Sequence, residues 1–246
     1  PAHAGDPAAG AAPVPPPGAD ARAIVKAAID HWRDVSSYAV SELTIHRPDW
    51  ERRLVVRVWT RGAKESLVRV VAPPREAGNA TLVRGAQMWT FNPKVNRVIQ
   101  IPPSMRGQSW MGSDFSNSDL AKADDLLEQY VHRLLGTERH EGRLVHVVEA
   151  VPKEAAPVVW GKEVVKIRDD HVVVEHLFFD QDLRPVKRLT TLEIRPMGGK
   201  VVATRQRMER LERPGEWTEV ALREARFGLP LAPGTFTESN LRNPRD

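Results

Sequence analysis

The chain has 246 residues, 41% of them hydrophobic, with a mean hydropathy of −0.41, and no apolar run nears the ~20 residues that a membrane-spanning helix requires. The absence of cysteine excludes disulfides, thiolate metal sites, a cysteine nucleophile and a lipidated cysteine within this sequence. The 36 basic and 32 acidic residues leave a net charge of +4, but the signs interleave, as in "TRQRMERLER", instead of forming the basic stripe of a nucleic-acid footprint; no nucleic-acid partner is expected, only mild attraction to anionic surfaces.

Residues 1–19, "PAHAGDPAAGAAPVPPPGA", are almost entirely Pro, Ala and Gly. Such a segment cannot bury enough apolar area to offset its ordering entropy, so it reads as a disordered N-terminal tail before one domain spanning residues 20–246. Its Ala2-His3-Ala4 has the small-x-small pattern that precedes signal-peptidase cleavage, a pattern that an Ala-rich tail also produces by chance. A tail of this kind suits an exported protein whose signal has been removed.

"DARAIVKAAIDHWRDV" follows, with Asp20 placed to cap a helix over residues 21–34 and Ile24, Ala27, Ala28 and Trp32 forming its apolar stripe. From Tyr38 the period switches to two. "LTIH", "RRLVVRVWTR", "ESLVRVVA", "NATLVRG", "AQMWTFNP" and "NRVIQIPP" predict six successive strands. After a helical patch around residues 120–129, "YVHRLLG", "RLVHVVEAVP", "VVWGKEVVKIR", "VVVEHLFFDQ", "LRPVKRLTTLEIR", "KVVATRQRMERLER" and "EWTEVALREARF" predict seven more. Short connections imply antiparallel meander pairing, because parallel strands need long crossovers.

Alternation places Leu54, Val56 and Val58 on one strand face and Trp59 on the other, beside Arg53 and Arg57. Met88 likewise opposes Trp89 and Phe91. One of these sets is expected to face an apolar concavity. The aliphatic set with Met88 is favoured, since Arg53, Arg57 and Trp59 read as an outer, partly wet face. A β-bulge between Arg52 and Thr60 would invert the assignment.

No motif of nucleotide binding or of a hydrolase nucleophile is present. "HVVVEH" (residues 171–176) fits neither zinc spacing, and both zinc motifs are helical, so no metal or other cofactor is expected. The block "MGSDFSNSDL" is rich in carboxylates and hydroxyls, and Asp114 and Asp119 are its conceivable acid/base pair. Crowded into a loop and a helix start, they suit capping better, with Ser116 and Asp119 spaced as a capping box. No catalytic residue is assigned. Seven tryptophans either fill the core or wall an apolar pocket.

The stretch "MWTFNPKVNRVIQIPPSMRGQSWMGSDFSNSDL" (residues 88–120) resembles the LolA-like superfamily, specifically the outer-membrane lipoprotein-sorting proteins. The resemblance rests on Trp89, Phe91 and Pro93, on "IPPSMR", and above all on Gly112, Ser113, Asp114, Phe115, Asp119 and Leu120 of the GSDFSNSDL block. Weaker correspondence runs through "VEAVPK", "FFDQDLRPVK" and a closing "FTESNL". Family members often carry Asp-x-Asp-Gly at a turn where this chain has Asp180-Gln181-Asp182-Leu183, which removes a glycine suited to positive φ.

The resemblance implies a mainly β fold with a few helices: a strongly curved antiparallel sheet, an incomplete β-barrel, closed by helices over an apolar cavity. It implies a periplasmic carrier of a lipid or of lipoprotein acyl chains, working beside an inner-membrane transporter. Phe115 would turn to the apolar interior, and residues 107–117 would be the hinge of a lid. The rival reading is a non-catalytic periplasmic accessory module of an inner-membrane exporter, with no ligand of its own.

Overall fold

The computed structural model describes residues 20–121 and 124–244; the expected tail, residues 1–19, lies outside them. Helix α1 (Ala21–Arg33) starts where the sequence places it: the Asp20 carboxylate accepts a hydrogen bond from the Arg22 amide at 2.9 Å, satisfying one unpaired first-turn donor. Its buried stripe is Ala21, Val25 and Ala28, flanked by Ile24 and Ile29, against Val148, Val165 and Ile167. These positions fall at i, i+4 and i+7. The stripe is thus rotated from the expected one, and Trp32 is left 43% exposed.

Six strands follow: β1 (Ser36–Arg47), β2 (Trp50–Arg61), β3 (Glu65–Ala72), β4 (Ala80–Arg84), β5 (Gln87–Asn92) and β6 (Arg97–Gln100). A long strap then leads to two short helices, α2 (Asn117–Ala121) and α3 (Asp125–Glu128). The second run is β7 (Tyr130–His140), β8 (Arg143–Pro152), β9 (Lys162–Arg168), β10 (Val173–Phe179), β11 (Pro185–Met197), β12 (Lys200–Arg210) and β13 (Trp217–Phe227), before α4 (Glu238–Arg242). All pair antiparallel in one 13-stranded sheet, ordered β6-β5-β4-β3-β2-β1-β13-β12-β11-β10-β9-β8-β7. Two meanders therefore join where β1 meets β13. The sheet is not closed into a barrel; β6 and β7 are its two edges. Among the described residues no helix is long and apolar enough to cross a membrane.

In β2 the expected alternation holds. The register slip lies where Val55 pairs with Ala72 and Val56 with Val70, so the extra residue is Val71 of β3, and β2 keeps an unbroken ladder with β1. Leu54 and Val56 pack with Leu43, Ile45, Val68 and Val70 on one face. Trp59, Trp89 and Phe91 pack with Leu67 and Leu82 on the other, beneath Phe236 and Leu241 of the C-terminal segment. The Trp59 face is therefore not a wet outer face. Arg69, itself buried, donates to the carbonyls of Asn240 and Leu241 at 2.6 and 3.2 Å and fixes α4 there.

The turn between β10 and β11 meets its missing glycine with a leucine in the left-handed region. Leu183 has φ +61°, and the Asp180 carboxylate accepts from the amides of Asp182 and Arg184, both at 2.9 Å. An Asx-type turn substitutes for glycine's freedom.

Candidate binding cleft

The strap between β6 and α2 is held in place from several strands. Trp110 lies on the Leu54/Val56 face, and its indole N–H donates to the Thr81 hydroxyl at 3.0 Å. Met111 and Gly112 both have positive φ, +53° and +72°, and this tight corner presents their carbonyls to Arg52 and Arg47. A Cβ on Gly112 would sit 3.2 Å from the Arg52 guanidinium. Ser113 is buried, and its hydroxyl donates to the Trp110 carbonyl at 2.7 Å.

Asp114 does not cap a helix. Its fully buried carboxylate receives both prongs of the Arg47 guanidinium at 3.0 and 3.2 Å and the Thr218 hydroxyl at 2.7 Å. The capping role expected of it is corrected: its side-chain partners come from β1 and β13. A charge this deep needs a cation and further donors, and β1 and β13 supply them. Within the expected hinge over residues 107–117, Trp110, Met111, Gly112 and Asp114 are bonded to β1, β2, β4 and β13.

Asp119 does behave as the spacing predicts. Its carboxylate accepts from the Ser116 amide at 2.6 Å, while the Ser116 hydroxyl accepts from the Asp119 amide at 3.3 Å, the reciprocal bonds of a capping box. No motif points to its second partner. Lys187 of β11 donates to the same carboxylate from a buried position, with its ammonium 5.0 and 4.8 Å from the ring centres of Trp160 and Phe178. Asp114 and Asp119 are thus each held by a separate cation, which is not the arrangement of an acid/base pair.

Beyond the strap, α1 packs on β7–β9 and α3 on β7, and a cleft of ≈ 410 Å³ is lined by residues of these helices, of α2 and of β9–β12. Val25, Ile29, Leu126, Val165 and Ile167 form much of its apolar wall, and Phe115, Asp119 and Leu120 of the GSDFSNSDL block line it. A polar group is built into the wall at Tyr130, Glu163 and His176. The Glu163 carboxylate is 2.5 Å from His176 Nε2 and hydrogen-bonded to the Tyr130 hydroxyl. Burial, then the adjacent carboxylate, push the Tyr130 phenol far above its ordinary value. The His176 ring stacks on Phe178 at 4.1 Å, so this network continues into the aromatic walls around Lys187.

The other predicted lining residues lie elsewhere. Leu54 and Val56 face the strap, and Met88 packs with Val83 and Ile101. Trp59, Trp89 and Phe91 lie under the C-terminal segment. Val58 pairs with Ala39 of β1 and packs against the cluster that Ala39 shares with Leu222 and Ala225, and it does not line the cleft. Of the tryptophans, Trp32 and Trp160 reach the cleft. Neither zinc-like alternative assembles: His171 sits in the β9–β10 turn with φ +70°, Glu175 pairs with Lys166 at 3.2 Å, and His176 is held by Glu163. Alternation could not locate the wall, because it gives the two faces of a strand without saying which neighbour covers each.

An open antiparallel sheet crossed by a strap, with helices over one part of one face, makes up the fold. Three solved structures share it: a DUF1329 family protein from Desulfovibrio piger (24% identity, TM-score 0.80, 90% of this chain and 98% of that one); a domain assigned to outer membrane lipoprotein-sorting proteins from Vibrio parahaemolyticus (23%, 0.78, 90% and 98%); and a LolA superfamily protein from Nitrosomonas europaea (22%, 0.75, 90% and 99%). No curated protein matches the chain in sequence. A family model described as "Uncharacterized protein" matches residues 62–243, and the chain belongs to that family.

Proposed function

We propose that the protein is a non-catalytic periplasmic carrier that holds a lipid, or the acyl part of a lipid-anchored cargo, beneath α1, and passes it on beside an inner-membrane transporter. On this reading the helices close the sheet over an apolar cavity. The observation that carries it is the cleft. Protein interiors leave few voids larger than a water molecule, and ≈ 410 Å³ falls in the range of small-molecule pockets, roughly 300–1,000 Å³. The likeness to a lipoprotein-sorting domain and to a LolA superfamily protein supports the same class of cargo.

The magnitudes suit a carrier. About ten buried methylenes contribute roughly 8 kcal/mol at ~0.8 each, and ordering costs offset several kcal/mol of that. Such binding is firm enough for transit and weak enough for release to a receptor offering another apolar path.

Solvent extraction of the purified protein followed by mass spectrometry should recover lipid. Uptake of a fluorescent fatty acid should disappear in Val165→Asp, checked for native secondary structure, and persist in Arg57→Ala. A wild-type chain with neither lipid nor uptake would not be a carrier, and the accessory-module reading would take its place.

A further inference from the structure

The carboxylates and guanidinium groups on the cleft wall do not pair with one another. Its carboxylates each have a partner: Asp119 holds Lys187, Glu163 holds His176 and Tyr130, and Asp125 is engaged as well. The two guanidinium groups on the same wall bond to neutral carbonyls instead. Arg33 donates to Gly62 and Glu65 at 2.9 and 3.1 Å. Arg106 donates to Ala86, and its buried Nε has no partner. Among the described residues neither guanidinium has a carboxylate partner. Burial pulls the Arg33 guanidinium down to about 10, with the charge of Asp124 opposing.

Arg106 lines the cleft and is half-buried. The next residue, Gly107, approaches Val159, whose methyl would lie 3.8 Å from an added Cβ, and Val159 and Trp32 are exposed on the rim. The cleft volume of ≈ 410 Å³ accommodates about a dozen methylenes if each takes roughly a water molecule's ~30 Å³ share. That is one alkyl chain.

The geometry points to a single-chain amphiphile with an anionic head, phosphate or carboxylate, bonded by Arg106, its chain lying against Val25, Val165, Ile167 and Phe178. This rests on the carrier reading and narrows it. A guanidinium matches such oxyanions in shape and charge, and the exposed apolar rim lowers the local dielectric in which the pair forms.

The test uses the full chain, stripped of lipid, and calorimetric titration with lysophosphatidic acid and a monoacylglycerol of equal chain length, both below micelle formation. The anionic amphiphile should bind roughly ten- to a hundredfold more tightly, the size of one charge-assisted interaction. Arg106→Gln, shown folded by its melting curve, should bring the two affinities within about twofold by weakening only the anionic one; Arg106→Lys should keep part of the preference. Equal affinities in the wild type, or an intact preference in Arg106→Gln, would overturn the assignment of the head. Phosphatidic acid with two chains binding as tightly would overturn the single chain. Stabilisation by inorganic phosphate alone, equal to that by lysophosphatidic acid, would make this a free-anion site. Should no amphiphile bind, the carrier reading itself would fail, a result distinct from binding without head discrimination.

Discussion

Strands β2–β5 and β9–β12 have similar apolar alternation, yet the first group is packed on both faces and the second keeps a cleft on one. The difference comes from what each face meets. On β2–β5, Trp110 of the strap covers one face and Phe236 and Leu241 of the C-terminal segment cover the other, so that five consecutive residues of β3 are buried. Beside the second group the cover is α1, seated on β7–β9, whose inward positions are small: Ala21, Val25 and Ala28. Short side chains on a helix cannot fill the space down to the sheet, and a void remains beside them. Among the described residues the far side of this group has no second cover. It is dressed with ion pairs such as Arg188–Glu209 and Lys166–Glu138, which suit a solvated surface but add little stability.

The largest expected effect tests what joins the two regions. Asp119→Ala removes a cap and leaves the Lys187 ammonium buried without its anion. The expected loss is about 3–5 kcal/mol, against roughly 0.5–2 for a cap alone, measured by urea unfolding. The double variant Asp119→Ala/Lys187→Met should regain most of it. A loss of only about 1 kcal/mol in the single variant would mean that the strap's grip on the cleft wall does not depend on this pair.

Next comes the contrast itself. Leu54→Ala opens a cavity in a site packed on every side and should cost roughly 3–5 kcal/mol, whereas Ile167→Ala enlarges a void already present and should fall near the lower bound, about 2 kcal/mol. Equal losses by denaturant titration would remove the distinction between a filled and a hollow region.

Much of the fold was legible because period-two runs and short turns allow few topologies: all thirteen strands, the first helix and the antiparallel pairing were readable. The capping box was legible too, since Ser116 and Asp119 interact locally. What could not be read depends on distant neighbours. Lys187 is 68 residues from Asp119, and nothing in "LRPVKRL" marks its lysine as buried. Tyr130, Glu163 and His176 come from three strands and form no motif. The short α4 was missed because "FTESNL" has too few turns to show a period, although Thr237 caps it by accepting from the Asn240 amide at 3.3 Å.

A smaller effect concerns pH. His132 of β7 holds α3, a cleft wall, with its Nε2 2.7 Å from the Leu126 carbonyl oxygen. Burial, helped by nearby Arg22 and Lys153, keeps its pKa below the ordinary 6.5 despite the Leu126 hydrogen bond. The folded state therefore takes up this proton less readily than the unfolded chain. The resulting stability is fully present above 6.5 and declines as pH falls through the lower folded-state value. His132→Gln should flatten the change in urea midpoint between about pH 7.5 and pH 5. An unchanged slope would show that other groups set the acid sensitivity of this wall.

The smallest expected effect is a gain. Leu183 is 55% exposed and sits at φ +61°, where an L-residue with a Cβ carries about 1–2 kcal/mol of strain. Leu183→Gly removes that strain and sacrifices little burial, but it gives the unfolded chain more freedom. The balance should be a stabilisation of about 0.5–1 kcal/mol, seen as a rise of a few degrees at most in melting temperature. Because the turn lies between β10 and β11, its tightening bears on the hollow region alone, and binding to the cleft should not change. If the melting temperature instead falls, Leu183 contributes packing that outweighs its backbone strain. The Asp180 turn would then be sustained by its side chains, with its two amide bonds and Arg184, whose Nε lies 3.2 Å from the Asp180 carboxylate, already making up for the absent glycine.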